Sequence, residues 1–268
     1  MNTRESVKNY YGKILTNTSD LKTNCCKTAT SPSPEITDLL ANIHDDVTQR
    51  YFGCGLIHPD KLEGMRVLDL GCGSGRDVFM LSQLVGPDGL VVGIDMTEEQ
   101  LEVGRKHINW HTKRFGFSQP NVVFRKGYIE ELEMLNLPEN SFDVIVSNCV
   151  INLSTDKKAV FQGAFKLLSE GGEMYFSDVY ADRRVPESLG QNPMLYNECL
   201  GGALYKKDFA TLVRGAGFVD PRLVESKPIS LSERELIIAT GQINFYSETY
   251  RLFKIDSLEQ IEFIFSIT

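Results

Sequence analysis

Several protein classes are excluded by what this chain lacks. Basic residues are in deficit: 28 Lys and Arg stand against 36 Asp and Glu over 268 residues, a formal net charge of −8. Nucleic-acid binders present a basic face, so that partner is not expected, and neither is attachment to an anionic membrane surface. No apolar run approaches the roughly 18 residues of a membrane-crossing helix. The opening stretch, "MNTRESVKNYYG", is too polar for a secretory signal. A soluble, cytoplasmic chain is the expectation. Histidine is scarce: His44, His58, His107 and His111 show no zinc-ligand spacing with one another or with the cysteines. His107 and His111 stand four apart but lack the H-E-x-x-H frame of a zinc helix, so surface histidines are expected. The six cysteines include no CxxC pair, which removes zinc knuckles and thioredoxin-type motifs from consideration. Internal repeats and low-complexity tracts are also missing.

What remains is ordinary globular material, 42% hydrophobic and 24% charged, enough for one full α/β domain and a smaller appendage. Residues 1–34 read as a polar arm ending in the Ser/Pro-rich "TATSPSPE". From Glu35 to about Tyr51, Ile36, Leu39, Leu40, Ile43 and Val47 recur at helical spacing. Strands then alternate with helices: "MRVLDL", "LVVGID", "NVVFRKG", "FDVIVSN" and "EMYFSDV" are the strand runs. Thr97 with Gln100 forms a capping-box pattern before the second helix. The helix around "KKAVFQGAFKLL" is expected to stop at Gly171-Gly172, and "DFATLVRGAGF" reads as a further amphipathic helix. Such alternation predicts a doubly wound, mostly parallel sheet. The expected division is an arm over 1–34, a Rossmann-like cofactor domain over 35–180, and a lid with the carboxyl-terminal part over 181–268. Ala181 to Lys206 is too long for a plain connection, and such insertions commonly serve as lids.

The strongest local signal is "DLGCGSGRD", in which Gly71, Gly73 and Gly75 follow a strand that ends at Asp69-Leu70. The spacing is G-x-G-x-G, not the G-x-G-x-x-G of dinucleotide binders, and a lone glycine motif also suits a purely structural turn. Asp95 ends the second strand, where an acidic residue receives ribose hydroxyls in this type of sheet. With the acidic "GYIEEL" segment, Asp69 and Asp95 favour S-adenosylmethionine, with Ile129 packing on adenine and Glu130 near its edge. Asn148 and Cys149 end the fourth strand, where open α/β sheets bind ligands. Taken alone, each cysteine reads as a small buried hydrophobe, and Cys72 inside the glycine turn is read as filler. Cys149 is different, because thiolates select soft metals and metalloids and no Asp or His base stands in its place. Trp110, Tyr10 and Tyr11 read as packing residues, with an aromatic arm over the cofactor as the alternative.

The chain resembles the arsenite methyltransferases in "VKNYYGKILTNTSDLKTNCC", "RYFGCGLIHPDKLEG", "DLGCGSGRD", "GIDMT", "GYIEEL", "SNCVINL", "GGEMYFSDVY", "ECLGGALY" and "YRLFK". The resemblance runs from about residue 7 to residue 254, and "SNCVINL" with "ECLGGALY" is its most selective part. It implies As(III) as substrate and four functional cysteines, which fall on Cys26, Cys54, Cys149 and Cys199, with Cys25 as a neighbour able to substitute for Cys26. It also implies that Met96 and Asn148 join the cofactor site, that a thiol such as glutathione or thioredoxin reduces the enzyme, and that a monomer acts. Family members usually continue past "YRLFK", and the closing "KIDSLEQIEFIFSIT" does not resemble that continuation. Two rivals stay open: a quinone- or sterol-type C-methyltransferase, and a non-enzymatic thiolate module.

Overall fold

A parallel strand covered by helices on both sides must bury both of its faces, which is why its sequence reads as a continuous apolar run. The run "RVLDL" forms β1 (Arg66–Leu70) and obeys this rule: Val67 enters one apolar cluster, while Leu68 and Leu70 enter another. In the computed structural model, residues 3–15, 32–53, 55, 58–231 and 234–255 are described. Among the described residues, α1 (Thr3–Asn9), a π-helical turn (Tyr10–Ile14), α2 (Pro34–Ala41) and α3 (Asp45–Thr48) precede β1. After it come α4 (Arg76–Val85), β2 (Leu90–Asp95), α5 (Glu98–Arg114), β3 (Val122–Lys126) and β4 (Phe142–Asn148). The chain continues through α6 (Lys157–Leu167), β5 (Leu168–Ala181), α7 (Glu187–Gly190), α8 (Pro193–Asn197) and β6 (Leu204–Tyr205). It closes with α9 (Lys206–Gly215), β7 (Arg222–Pro228), α10 (Arg234–Thr240) and β8 (Phe245–Phe253).

The sheet order is β3-β2-β1-β4-β5-β8-β7, with β6 paired to β5. Strands β1 to β5 run parallel, and β8 runs antiparallel between β5 and β7. The chain winds outward from β1 through β2 to β3, then returns to β4 on the other side. That reversal opens a crevice above the carboxyl ends of β1 and β4, the place where this kind of sheet takes its ligands. No described helix is long and apolar enough to cross a membrane.

Four local expectations are corrected. The helix expected over 35–51 is two helices, α2 and α3, broken at Asn42–His44. The break is held by His44, whose N–H donates to His111 Nε2 (3.1 Å) and whose ring Nδ1 accepts from the N–H of Asp46 (3.1 Å). Helix α6 stops at Leu167, before the glycine pair, because β5 starts at Leu168 and pairs with Phe142. Thr97 precedes α5 but does not build a capping box. Its N–H goes to Asp95 Oδ1 (2.8 Å), and the Gln100 amide donates to the Tyr11 carbonyl (2.8 Å). Finally, His107 and His111 are buried, not superficial, at 6% and 1% exposure.

Candidate active site

The glycine turn after β1 is shaped by backbone that only glycine adopts cheaply. Gly71, Gly73 and Gly75 all have positive φ, at 77°, 53° and 93°. A Cβ on Gly71 would strike Val150 at 2.4 Å, and one on Gly75 would strike Phe124 at 2.5 Å. A Cβ on Gly73 would meet no protein atom within 4 Å. Gly73 therefore faces the cleft, whereas Gly71 and Gly75 pack against protein. The lining of the cleft includes Asp69, Gly71, Gly73, Asp95, Met96 and Ile129 together with Glu130, Asn148 and Cys149. Gly75 is not part of that lining; it is the residue before α4.

The electrostatics of this cleft call for a cation. Asp69 is 3% exposed, and its Oδ2 has no hydrogen-bond partner among the described residues. Burial, together with the charges of Asp77 and Asp95, pushes its carboxyl well above the usual carboxylate range. Burial raises Asp95 as well, against the pull of the N–H groups of Thr97 and Gly73, the latter 2.9 Å from Oδ2. Asp77, by contrast, is paired with Arg76 (2.7 Å). Among the described residues neither the buried Asp69 nor the half-buried Asp95 has an ion-pair partner, and Gln100 Oε1 is a further buried acceptor without a donor. S-adenosylmethionine carries a sulfonium and an ammonium, so its charge fits this donor-poor, acid-rich space. Asn148 is committed to the protein: its Nδ2 donates to the Tyr51 hydroxyl, the Gly55 carbonyl and Asp77 Oδ2, at 2.6, 2.8 and 3.0 Å. Glu130 is held by Arg4 of α1 at 2.8 Å, and Glu131 by the same guanidinium at 2.7 Å.

Helix α1 and the turn after it close one side of the cleft. Arg4, Val7 and Tyr11 contribute to the lining, so the aromatic arm does reach the cleft. Tyr10 donates to Glu198 Oε1 (2.6 Å) and Tyr11 to the Asn197 carbonyl (2.9 Å), tying this arm to the segment that carries Cys199. Sequence reasoning did not assign Arg4, Tyr51, Asp77 or Gln100 to the site, although Asp77 closes the quoted "DLGCGSGRD" and Tyr51 stands in "RYFGCGLIHPDKLEG".

Cys149 and Cys199 come from different elements and meet. Cys149 directly follows β4, Cys199 follows α8, and the Cys199 thiol approaches the Cys149 carbonyl at 3.4 Å. Both residues are buried and both adopt left-handed backbone, with φ of 57° and 63°. Non-glycine residues there are strained by about 1–3 kcal/mol and cluster at functional sites. Cys149 is disulfide-bonded, whereas Cys199 and Cys72 form no disulfide. Burial, with Asp95 and Asp69 nearby, pushes the Cys72 thiol well up, which keeps it neutral and agrees with its reading as filler. Cys26, Cys25 and Cys54 lie outside the described residues.

The doubly wound sheet and a glycine-lined cleft at its switch point define a methyltransferase of the class I, S-adenosylmethionine-type fold. Residues 61–217 match the family described as "Methyltransferase domain". The chain is 58% identical over 255 residues to an arsenite methyltransferase of Aquipseudomonas alcaligenes, covering 95% of this chain and 73% of that protein. To the mouse arsenite methyltransferase it is 49% identical over 259 residues, covering 96% and 69%. The solved structure of an arsenic(III) S-adenosylmethionine methyltransferase from Chlamydomonas reinhardtii superposes with a TM-score of 0.82 at 46% identity, covering 86% and 77%. The chain belongs to the arsenite methyltransferase family. That membership disfavours both rival readings.

Proposed function

We propose that this chain transfers methyl groups from S-adenosylmethionine to trivalent arsenic held by cysteine thiolates, giving methylated arsenicals. The observation that carries the reading is the meeting of Cys149 and Cys199, both on strained left-handed backbone, with Cys149 in the cleft wall. S-adenosylmethionine, when bound, supplies a sulfonium-activated methyl. The cleft residues named above hold it: Asp69 and Asp95 offset its positive charge, Gly73 leaves space for it, and Met96, Ile129 and Glu130 border it. On the substrate side, two thiolates grip arsenic from the sheet and from the lid, with Cys54 and Cys26 or Cys25 as sources of a third. The arsenic lone pair is the nucleophile, so no proton has to leave, and positioning supplies most of the catalysis.

Thiolate binding requires reduced sulfur, and Cys149 is disulfide-bonded here. A thiol reductant such as glutathione or thioredoxin must therefore open that bond before arsenic binds, which suits the reducing cytosol. The test is to incubate the chain with arsenite, a thiol and labelled S-adenosylmethionine, and to separate the products. Labelled methylarsenicals are expected, and their loss in Cys149→Ser and Cys199→Ser. A lack of methylated arsenic with wild-type protein, or full activity in both variants, refutes the proposal.

A further inference from the structure

Where α3 packs on α5, away from Cys149 and Cys199, three side chains of metal-ligating type converge. His44 stands just before α3, Asp46 lies in its first turn, and His107 projects from the middle of α5. One ligand atom from each lies within 4.8 Å of the other two. The two carboxylate oxygens of Asp46 divide between the imidazoles: Oδ1 is 3.9 Å from His44 Nδ1, and Oδ2 is 3.0 Å from His107 Nε2. We propose that His44, Asp46 and His107 form a binding site for a divalent transition-metal cation such as Zn2+. It would be distinct from the arsenic site and would pin α3 to α5.

The donor set is two imidazoles and one carboxylate, the nitrogen–oxygen combination that suits zinc and its transition-metal neighbours. Tetrahedral zinc wants its ligand atoms about 3.4 Å apart, so a cluster spanning up to 4.8 Å needs to contract by at most about 1.4 Å. His44 can supply that movement. Its side chain is 29% exposed, and its ring now stacks on His107 with centroids 3.9 Å apart and planes 28° from parallel. A turn about the Cβ–Cγ bond trades the Asp46 N–H for the cation and brings the Nδ1 lone pair toward Asp46. His107 is fixed already, since it is buried and the next turn of α5 is locked by His111 Nδ1 donating to the His107 carbonyl (2.8 Å). Lys106 Nζ, 3.5 Å from Asp46 Oδ2 and 71% exposed, is the one described cation that competes, and it swings away into solvent at little cost.

The position gives the cation a structural role. Helix α3 abuts the glycine turn, where the Ser74 hydroxyl donates to the Val47 carbonyl (2.9 Å). A few residues on, Arg50, Tyr51 and Phe52 line the cofactor cleft, while Thr97 and Gln100 of the α5 entry line it from the other side. Bracing α3 against α5 therefore steadies the two walls that meet over the glycine turn.

The chain carries its own reporter. Trp110 is the only tryptophan, and its ring packs edge-on against His44 with centroids 5.1 Å apart. Co2+, which quenches indole fluorescence at short range, is titrated into the full chain after its accessible thiols are blocked with N-ethylmaleimide. Saturable quenching at one equivalent is expected, reversed by competing Zn2+. His107→Gln and Asp46→Asn should each weaken Co2+ binding at least about tenfold, since even supporting residues at metal sites cost that much. Asp46 has a half-exposed side chain, so its asparagine variant keeps the fold, which circular dichroism and the urea midpoint verify. Quenching that stays linear without saturating, or that saturates equally in both variants, overturns the site.

Discussion

Replacing Cys199 by glycine and by alanine separates what this residue does for the fold from what it does for arsenic. Its φ of 63° lies in the left-handed region, where an L-residue is strained by roughly 1–2 kcal/mol. Glycine escapes that strain but gives up roughly 0.5–1 kcal/mol of extra chain entropy on folding. Both variants lose the same buried thiol and its contact with the Cys149 carbonyl, so that loss cancels between them. The net expectation is Cys199→Gly more stable than Cys199→Ala by about 1 kcal/mol, the reverse of their order at an ordinary helical or extended position. For a chain of this size that is about 2–4 °C in Tm. Urea unfolding followed by circular dichroism measures the difference. Arsenic retained by the reduced protein after gel filtration, counted by mass spectrometry, measures the function. Tight As(III) binding should vanish equally in both. An alanine variant as stable as the glycine variant would show that the backbone is not left-handed in solution, and retained arsenic in either would remove Cys199 from the ligand set.

Asp95→Ala should weaken S-adenosylmethionine binding by about 1–3 kcal/mol, and Gly73→Val should weaken it further, because the branched Cβ enters the open cleft from a backbone with φ of 53°; calorimetry with unchanged affinity in both would misplace the cofactor. Burial and acidic neighbours push the Asp69 carboxyl above the usual carboxylate range, and a cationic ligand opposes that shift. Cofactor binding should therefore release a proton and tighten as pH rises through the Asp69 titration, which calorimetry in buffers of different ionisation enthalpy detects; Asp69→Asn should abolish the release. His111 is driven down to about 4 by burial. A lowered folded value means the unfolded chain takes up its proton first, so stability is full above the unfolded value near 6.5 and falls as pH drops toward 4. Between pH 7 and pH 5 this group should remove about 2 kcal/mol, and a urea midpoint that is flat over that range would contradict its buried, neutral state.

The parts of the fold that the sequence discloses are those governed by local periodicity. The runs at 90–95 and 142–148 are strands with the expected bounds, because both faces of an interior parallel strand are apolar and the run announces itself. The edge was harder to see. Strand β7 (Arg222–Pro228), in "RLVESKP", is mostly exposed, and an edge strand with one partner lacks the burial that would mark it. The helix break at Asn42–His44 was also hidden, because Ile36, Ile43 and Val47 keep helical spacing and all reach the same apolar cluster across the break. What stops the helix is the His44 N–H donating to His111, a bond between residues 67 apart that no window along the chain can show.

The site divides along the same line. A positive φ advertises itself when glycine occupies it, and so the turn at Gly71, Gly73 and Gly75 was legible. Cys149 and Cys199 occupy the same kind of backbone without the residue that marks it, and nothing in "SNCVINL" or "ECLGGALY" read alone distinguishes a strained cysteine from a relaxed one. The structure supplies the discriminating fact. Glycine would relieve the strain at both positions, at the cost of the buried thiol. Two cysteines on strained backbone, brought into contact beside the switch point of the sheet, fit a proposed role for their side chains. Of the chemistries a thiol offers, the proposed function assigns metalloid binding to the pair. The geometry adds what the resemblance lacked: one sulfur fixed to the sheet, and the other on a segment tied by Tyr10 and Tyr11 to the arm over the cofactor. Under the proposed function, arsenic capture by Cys199 and closure of the cofactor cleft by α1 would act through one connected set of contacts.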